Sequence, residues 1–422
     1  MTFISNNYLR SYEAHHAAIT KPFLSKFILL TLSLLYYQVS YADSFTAKRA
    51  GQGFTAITQD FTSSLSNPAL LTKYTLEDDV YFSFNLGGMG SDQYNVIDIA
   101  EQISNDLSSL ANDINNTSTT NHLHDSVDTI IHNLAAIDNK VVNVRNGLNF
   151  QLIIPNKYLS FGLFTNQFGR IGGVVNYNDN DALLLEEAIN QGYLDLTQLK
   201  STANGLGYSL AEAGVMLGYQ ITNNNHYEIS IGSKLKYQRI DLLYRKLNIS
   251  NFNEDEFDLN NDEYLTNDSH LNVDLGLYVA WGDERQWHAA LVSDNLISRQ
   301  VEYSKQIQPT DPNINFSLKP TTSVGFSYQN SWLTLATEID LADREHFISL
   351  TPSKYVALGA EFTLFESVQL RMGLRSDLND VDGDLYTLGF GISPWDVLAI
   401  DIAGFAGNND TYGAALQLGL KI

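Results

Sequence analysis

The side chains able to do chemistry in this 422-residue chain are mostly carboxylates and cations set at alternate positions of apolar stretches. Glu212, Lys234, Lys236, Asp274, Lys319, Glu338, Asp340, Glu361, Arg371, Arg375 and Asp401 all fall on the polar side of such stretches. If the stretches are neighbouring strands, Glu361 lies between Glu338 with Asp340 and Arg371 with Arg375. Lys234 and Lys236 likewise lie between Glu212 and Asp274, so opposite charges face one another across strands. Such groups either brace a wall and hold something against it, or line a path for a passing molecule.

Enzyme chemistry is poorly supplied. No Gly-x-Ser-x-Gly nucleophile turn occurs, and no Ser, His and Asp set gathers at one end of the pattern. His122, His124 and His132 cluster locally, but 124 and 132 on one helix stand two turns apart rather than the one turn common in zinc sites. Asp258-x-Asn260-x-Asp262 is superficially like a calcium loop, with Glu263 where the turn glycine belongs. A solvated acidic loop over Asn253–Asp268 is the simpler reading. The absence of cysteine excludes thiol catalysis, a disulfide framework and cysteine metal sites. No catalytic residue, metal or cofactor is therefore expected. With 25 basic against 48 acidic residues the formal charge is −23. That argues against nucleic acid as a partner and suits a solvated surface that attracts divalent cations.

The elements that would position the charges are strands. From Val142 onward the chain repeats about ten residues of alternating polarity followed by a turn. In Leu271-Asn272-Val273-Asp274-Leu275-Gly276-Leu277-Tyr278-Val279-Ala280-Trp281 every odd position is apolar. Val356, Leu358, Ala360, Phe362 and Leu364 alternate in the same way, as do Val368, Leu370, Met372 and Leu374. Strands are expected at 79–88, 142–154, 157–176, 206–221, 225–245, 268–282, 285–297, 316–329, 331–341, 355–364, 367–377, 384–393, 396–406 and 410–422, about fourteen in all. Alternation alone also fits a secreted β-sandwich. The connections favour a membrane barrel, because short turns near Pro155-Asn156, Gly282-Asp283-Glu284, Asn330, Glu366 and Ser393-Pro394 alternate with long loops. Closure would remove strand edges that lipid cannot satisfy. Tyr219, Trp281, Trp287, Tyr328, Trp332 and Trp395 near strand ends are candidates for an interfacial girdle.

Two stretches break the pattern. Ile97, Ile103, Leu107, Leu110 and Ile114, then Leu123, Val127, Ile130, Leu134, Ile137 and Val141, recur at helical spacing and predict an amphipathic hairpin at about 91–141. A shorter helix is expected over 181–190. At the N-terminus, Lys21 and Lys26 precede an apolar run from Phe27 to Tyr37, and Val39-Ser40-Tyr41-Ala42 predicts export with cleavage between Ala42 and Asp43. The run is shorter than the roughly 20 residues a spanning helix needs.

After that segment stand Ala47-Lys48-Arg49-Ala50-Gly51-Gln52-Gly53-Phe54 and Ser66-Asn67-Pro68-Ala69-Leu70. Glycines followed closely by Asn-Pro-Ala at a mature N-terminus resemble the FadL/TodX-type outer-membrane porins. The resemblance implies that 43–76, with Gly51, Gly53, Asn67, Pro68 and Ala69, forms a small plug inside a fourteen-stranded barrel over 77–422. The chain more closely resembles the β-barrel type of conjugal transfer protein TraF, through the helical insert, Asn272-Val273-Asp274-Leu275-Gly276-Leu277, Asp294-Asn295-Leu296-Ile297, Glu338-Ile339-Asp340-Leu341 and Gly389-Phe390-Gly391-Ile392-Ser393-Pro394. The thioredoxin-like proteins of the same name are a different group, whose redox cysteines are absent here. The chain ends in Lys421-Ile422 rather than the terminal phenylalanine typical of outer-membrane proteins.

The resemblance implies an all-β outer-membrane barrel in contact with lipid and lipopolysaccharide. It further implies an association with plasmid conjugal transfer and with conjugation or envelope proteins. The alternative is a FadL-like channel that takes up a small hydrophobic ligand.

Overall fold

The computed structural model describes residues 45–74, 79–115, 120–224, 226–253, 264–305, 313–345, 347, 351–365, 367–394, 397–408 and 410–422. The expected export segment, the Ala42–Asp43 cleavage position, Trp395, Glu366 and most of the acidic loop lie outside these residues. Among these described residues sixteen strands follow in chain order: β1 Tyr81–Ser91, β2 Val141–Ile154, β3 Ser160–Asn176, β4 Thr202–Asn223, β5 Tyr227–Asn248, β6 Leu265–Trp281, β7 Trp287–Asp294, β8 Arg299–Glu302, β9 Asn315–Leu318, β10 Thr321–Gln329, β11 Leu333–Asp340, β12 Tyr355–Leu364, β13 Val368–Asp377, β14 Leu385–Ile392, β15 Leu398–Gly407 and β16 Thr411–Lys421. The helices are α1 Ala47–Gly51, α2 Val96–Asn115, α3 Thr120–Ile137 and α4 Asn180–Gln191.

Fourteen of the strands close into one antiparallel barrel, in which each pairs with the next barrel strand in the chain, β7 with β10 across the β8–β9 pair, and β1 also pairs with β16. The polarity of the wall excludes a sandwich. In β6, Asn272 and Asp274 are buried while Leu271 is 69% exposed and Leu275 48%. Polar side chains point in and apolar ones point out, as lipid requires. The girdle candidates Tyr219, Trp281, Trp287 and Trp332 are exposed close to the short-turn rim.

β4 and β5 have 22 residues each, roughly twice the 9–11 residues a spanning strand needs. On β5 the apolar outer face runs from Tyr227 to Tyr237 and then gives way to Arg239, which pairs with Asp241 at 2.7 Å. The upper halves of these strands therefore stand clear of the apolar band at the long-loop rim.

One expected strand is two. The stretch 316–329 breaks at Lys319-Pro320, because proline offers no N–H to continue a ladder. β9 turns back to pair with β8 as a separate two-stranded sheet. That hairpin lays Val301, Phe316 and Leu318 over Tyr208, Leu210, Ile240 and Leu242 on the tall wall.

The hairpin insert consists of α2 and α3. Its first buried residue is Val96 rather than Ile97, and Val141 belongs to β2 and is exposed. Ala100, Ile103, Leu107, Leu110 and Ile114 interlock with Leu123, Val127, Ile130, Leu134 and Ile137, and with Leu185 and Ala188 of α4. This is a core of its own at the long-loop rim, the i, i+3, i+4 stripe of each helix facing the other.

Candidate functional site

The interior of the barrel is occupied by residues 45–74, an inner segment whose apolar side chains are nearly all buried. Its path follows from local chemistry. The Thr46 hydroxyl accepts the Arg49 N–H at 3.3 Å and caps α1. Gly53 turns the chain at φ +66°, where a Cβ is unfavourable. Asn67 caps the 3-10 turn Pro68–Thr72 by accepting the Ala69 N–H at 3.0 Å, with Pro68 at the first position.

The wall meets this segment with glycines. A Cβ on Gly373 would run into the Gly53 amide, one on Gly359 into the Gln52 carbonyl, and one on Gly232 into the Pro68–Ala69 peptide. A Cβ on Gly276 would collide with the Asn67 side chain, and Cβ atoms on Gly87 and Gly147 would each stand 2.8 Å from Phe45. Gly51 and Gly53 are tied to β14 through Thr387, whose hydroxyl accepts the Gly53 N–H at 2.9 Å and donates to the Gly51 carbonyl at 3.0 Å. Asn67 donates to the Ile57 carbonyl at 2.9 Å and to the Leu277 carbonyl of β6 at 3.4 Å.

The charged residues gather in separate groups around the segment. On β4 to β6, Lys236 lies 2.9 Å from both Glu212 and Asp274, and Lys234 lies 2.9 Å from Asp274. Lys234 also donates to the Leu65 carbonyl of the inner segment at 2.9 Å. Glu338 accepts the Ala56 N–H at 3.0 Å and lies 3.7 Å from Arg49. Arg371 bridges Glu361 and Asp401 at 2.6 Å each. Arg375 stacks on Phe54 at 4.1 Å and on Tyr355 at 4.5 Å. Asp340 grips Arg344, the Ser323 hydroxyl and the Tyr355 N–H, and so holds the following loop rather than the inner segment. Lys319 is not a lumen group. The Pro320 break moves it to the link between β9 and β10, where it is 52% exposed and pairs with Glu345 at 2.7 Å.

An aromatic cluster lies beside these charged groups. Phe45 stacks on Phe168 of β3 at 5.7 Å, and Phe54 meets Phe405 of β15 edge-on at 5.5 Å. A small recess, no more than water-sized, remains between the segment and β11 to β13, lined by Arg49, Phe54, Glu338, Asp340, Tyr355 and Arg375 among others.

Above this recess the loop between β13 and β14 reaches across the mouth. Asp382 places its carboxylate between Arg145 of β2 and Arg170 of β3, with the Tyr355 hydroxyl donating to its other oxygen. Burial would raise this carboxyl, and the two guanidinium groups outweigh it, holding the group far below the usual carboxylate range. Among the described residues no group of three His, Asp or Glu side chains could hold a metal. His124 instead contacts Glu186 at 3.1 Å and ties α3 to α4.

Two features escaped the sequence reading. The glycine seats had a signal, since Gly232, Gly276, Gly359 and Gly373 each stand two residues from an inward charge and so share its face. Asp382 had none, because Leu378-Asn379-Asp380-Val381-Asp382-Gly383-Asp384 reads as an ordinary turn.

Solved structures share the fold. The toluene transporter TbuX of Ralstonia pickettii superposes at a TM-score of 0.54 and 10% identity, over 90% of this chain and 99% of that one. The toluene transporter TodX of Pseudomonas putida does so at 0.51 and 11% identity, over 90% and 99%. A FadL homologue of Pseudomonas aeruginosa gives 0.48 at 10% identity, over 91% and 99%. No curated protein matches the sequence. The sequence pattern of the family described as F plasmid transfer operon, TraF, protein matches residues 64–340, well over half of the chain, and the chain belongs to that family.

Proposed function

We propose that this outer-membrane barrel is a plugged channel for a small molecule, with residues 45–74 as the movable plug. The short-turn rim faces the periplasm and the long-loop rim faces outward. The observation that carries the reading is the seating of the plug. It rests on wall glycines, a few polar grips and small apolar clusters such as Phe45 with Phe168 and Leu71 with Phe164. None of its described residues belongs to a strand of the ring, so it can part as a unit without breaking the barrel's ladders. Strand pairing continues around the whole ring, with one register shift near Gln220 and Thr222. An unbroken wall directs traffic along the axis, past the plug. The Phe45, Phe54, Phe168 and Phe405 cluster supports a cargo with apolar surface, in keeping with the toluene transport named for the proteins of like fold.

The test is conductance of the refolded barrel lacking residues 43–76. An open pore is expected in the truncated protein, and an unchanged conductance would sink the plug. Uptake of toluene and of long-chain fatty acids then sorts the cargo. The absence of catalytic machinery from this reading is checked by the same preparation, which should leave ester and peptide substrates intact.

A second reading is favoured by α2, α3 and α4, whose shared apolar core makes a firm platform outside the membrane. With the family's description, this supports a role for the cap in plasmid transfer through contact with conjugation or envelope proteins. Deleting residues 96–137 should lower transfer frequency and leave conductance alone. An unchanged frequency argues against it. Both readings use export by a cleaved N-terminal signal, checked by the N-terminal residue of the mature protein, for which Asp43 is expected.

A further inference from the structure

We propose that Arg145 and Arg170, with the Tyr355 hydroxyl, form an anion-binding site at the outer mouth that the chain keeps filled with its own Asp382. The site is built from three strands, β2, β3 and β12, while its occupant arrives on the β13–β14 loop from another part of the ring. The Asp382 side chain is 3% exposed, Arg145 7% and Arg170 18%. One carboxylate oxygen takes both guanidinium groups and the other takes the phenol. Each guanidinium gives one charge-assisted bond to the same oxygen, a pair of donors open to any carboxylate-like anion.

The loop is shaped to deliver this one group. Asp377 accepts the N–H groups of Asn379, Val381 and Asp382, and Asn379 donates to the Pro352 carbonyl at 2.7 Å. Asp380 and Gly383 both adopt positive φ, at 56° and 68°, which turns Asp382 inward between them. Arg375 lies directly below, stacked on Tyr355. Lifting the loop would leave two buried cations facing the mouth, a state that an incoming anion stabilises and water alone supports poorly. The loop is thus a lid whose closing group competes with the ligand. Anions enter by displacing Asp382, and in the open state the mouth favours anions over cations.

This inference rests on the channel reading for its purpose, but the lid can be read without any current. The chain has no cysteine, so Tyr208→Cys, on β4 opposite Arg170 and covered as well by Phe316 and Phe347, supplies a unique thiol, read as the difference between variants that share this cover. Its labelling by a membrane-impermeant maleimide is followed on intact cells. Asp382→Asn should label at least about tenfold faster than the parent, the scale expected when one member of a buried ion pair is neutralised. Acetate, compared with chloride at equal ionic strength, should accelerate labelling of the parent in a saturable way and leave Asp382→Asn unaffected. Arg145→Gln with Arg170→Gln should abolish the acetate response.

Equal labelling of the parent and Asp382→Asn, or an acetate response no greater than that to chloride, overturns the proposal. Should Asp382→Asn fail to fold, the acetate series on the parent still decides. Fast labelling of Asp382→Asn with no conductance in bilayers would uphold the lid and count against the channel.

Discussion

The inner segment 45–74 and the helical cap of α2, α3 and α4 are both lodged against the barrel, yet they are held in different ways. The cap is a side-chain core in which α2, α3 and α4 bury leucine and isoleucine against one another. The inner segment brings backbone to backbone on Gly232, Gly359 and Gly373, adds single polar grips at Glu338, Lys234 and Thr387, and meets wall side chains only in small separate clusters around Phe45, Leu70 and Leu71. Interlocked side chains resist displacement in every direction and lose their contacts gradually. A flat glycine seat loses its close fit at once when the segment shifts. On the proposed channel reading, one barrel carries a fixed element and a releasable one.

The comparison breaks most sharply at a seat. Gly373→Val puts side-chain atoms into the Gly53 backbone, which cannot move aside as a rotamer can. The cost should exceed the about 1–3 kcal/mol typical of overpacking. The barrel should keep its heat-dependent gel shift while its conductance rises to that of the truncated protein; a seated plug in this variant would refute the account.

Leu107→Ala tests the other side. Loss of about 2–5 kcal/mol of local stability is expected, seen as proteolysis of the helical hairpin with conductance unchanged. Next in size is Glu338→Ala, which strands the Ala56 N–H and should cost about 1–3 kcal/mol, read as more frequent openings in bilayers.

Lys319→Ala removes an exposed pair worth less than about 1 kcal/mol and should alter neither opening nor stability. A measurable change in gating would return Lys319 to the lumen. The smallest effect concerns pH. A carboxyl held low contributes its full stability above its unfolded value and loses it only as pH falls through the folded one. Asp382 is held far below the carboxylate range by Arg145 and Arg170. Protection of a thiol at position 208 should therefore not change between about pH 8 and about pH 5.

The strands and the helical hairpin were legible because both repeat. An alternation of two or a stripe at three and four survives a misjudged end, so the slip from Val96 to Ile97 cost nothing. The strand over 316–329 was misread because alternation runs straight across Lys319-Pro320, and the missing N–H outweighs the pattern. The inward charges were legible as a face, with Lys319 the exception that the proline moved. Their partners were less so, since Asp340 serves the loop through Arg344 and Arg375 lies on rings.

By itself the sequence determined the two faces of the repeating strands, the number of strands that close the ring, and the places of the helical hairpin and of the shorter helix after β3. Those are properties of local periodicity, and one chain read in order contains them. Only the tertiary structure decided what fills the ring. The contacts of Gly373 with Gly53, of Lys234 with the Leu65 carbonyl, and of Asp382 with Arg145 join residues far apart in the chain. They depend on strand register and loop reach, and those become definite only once the barrel has closed.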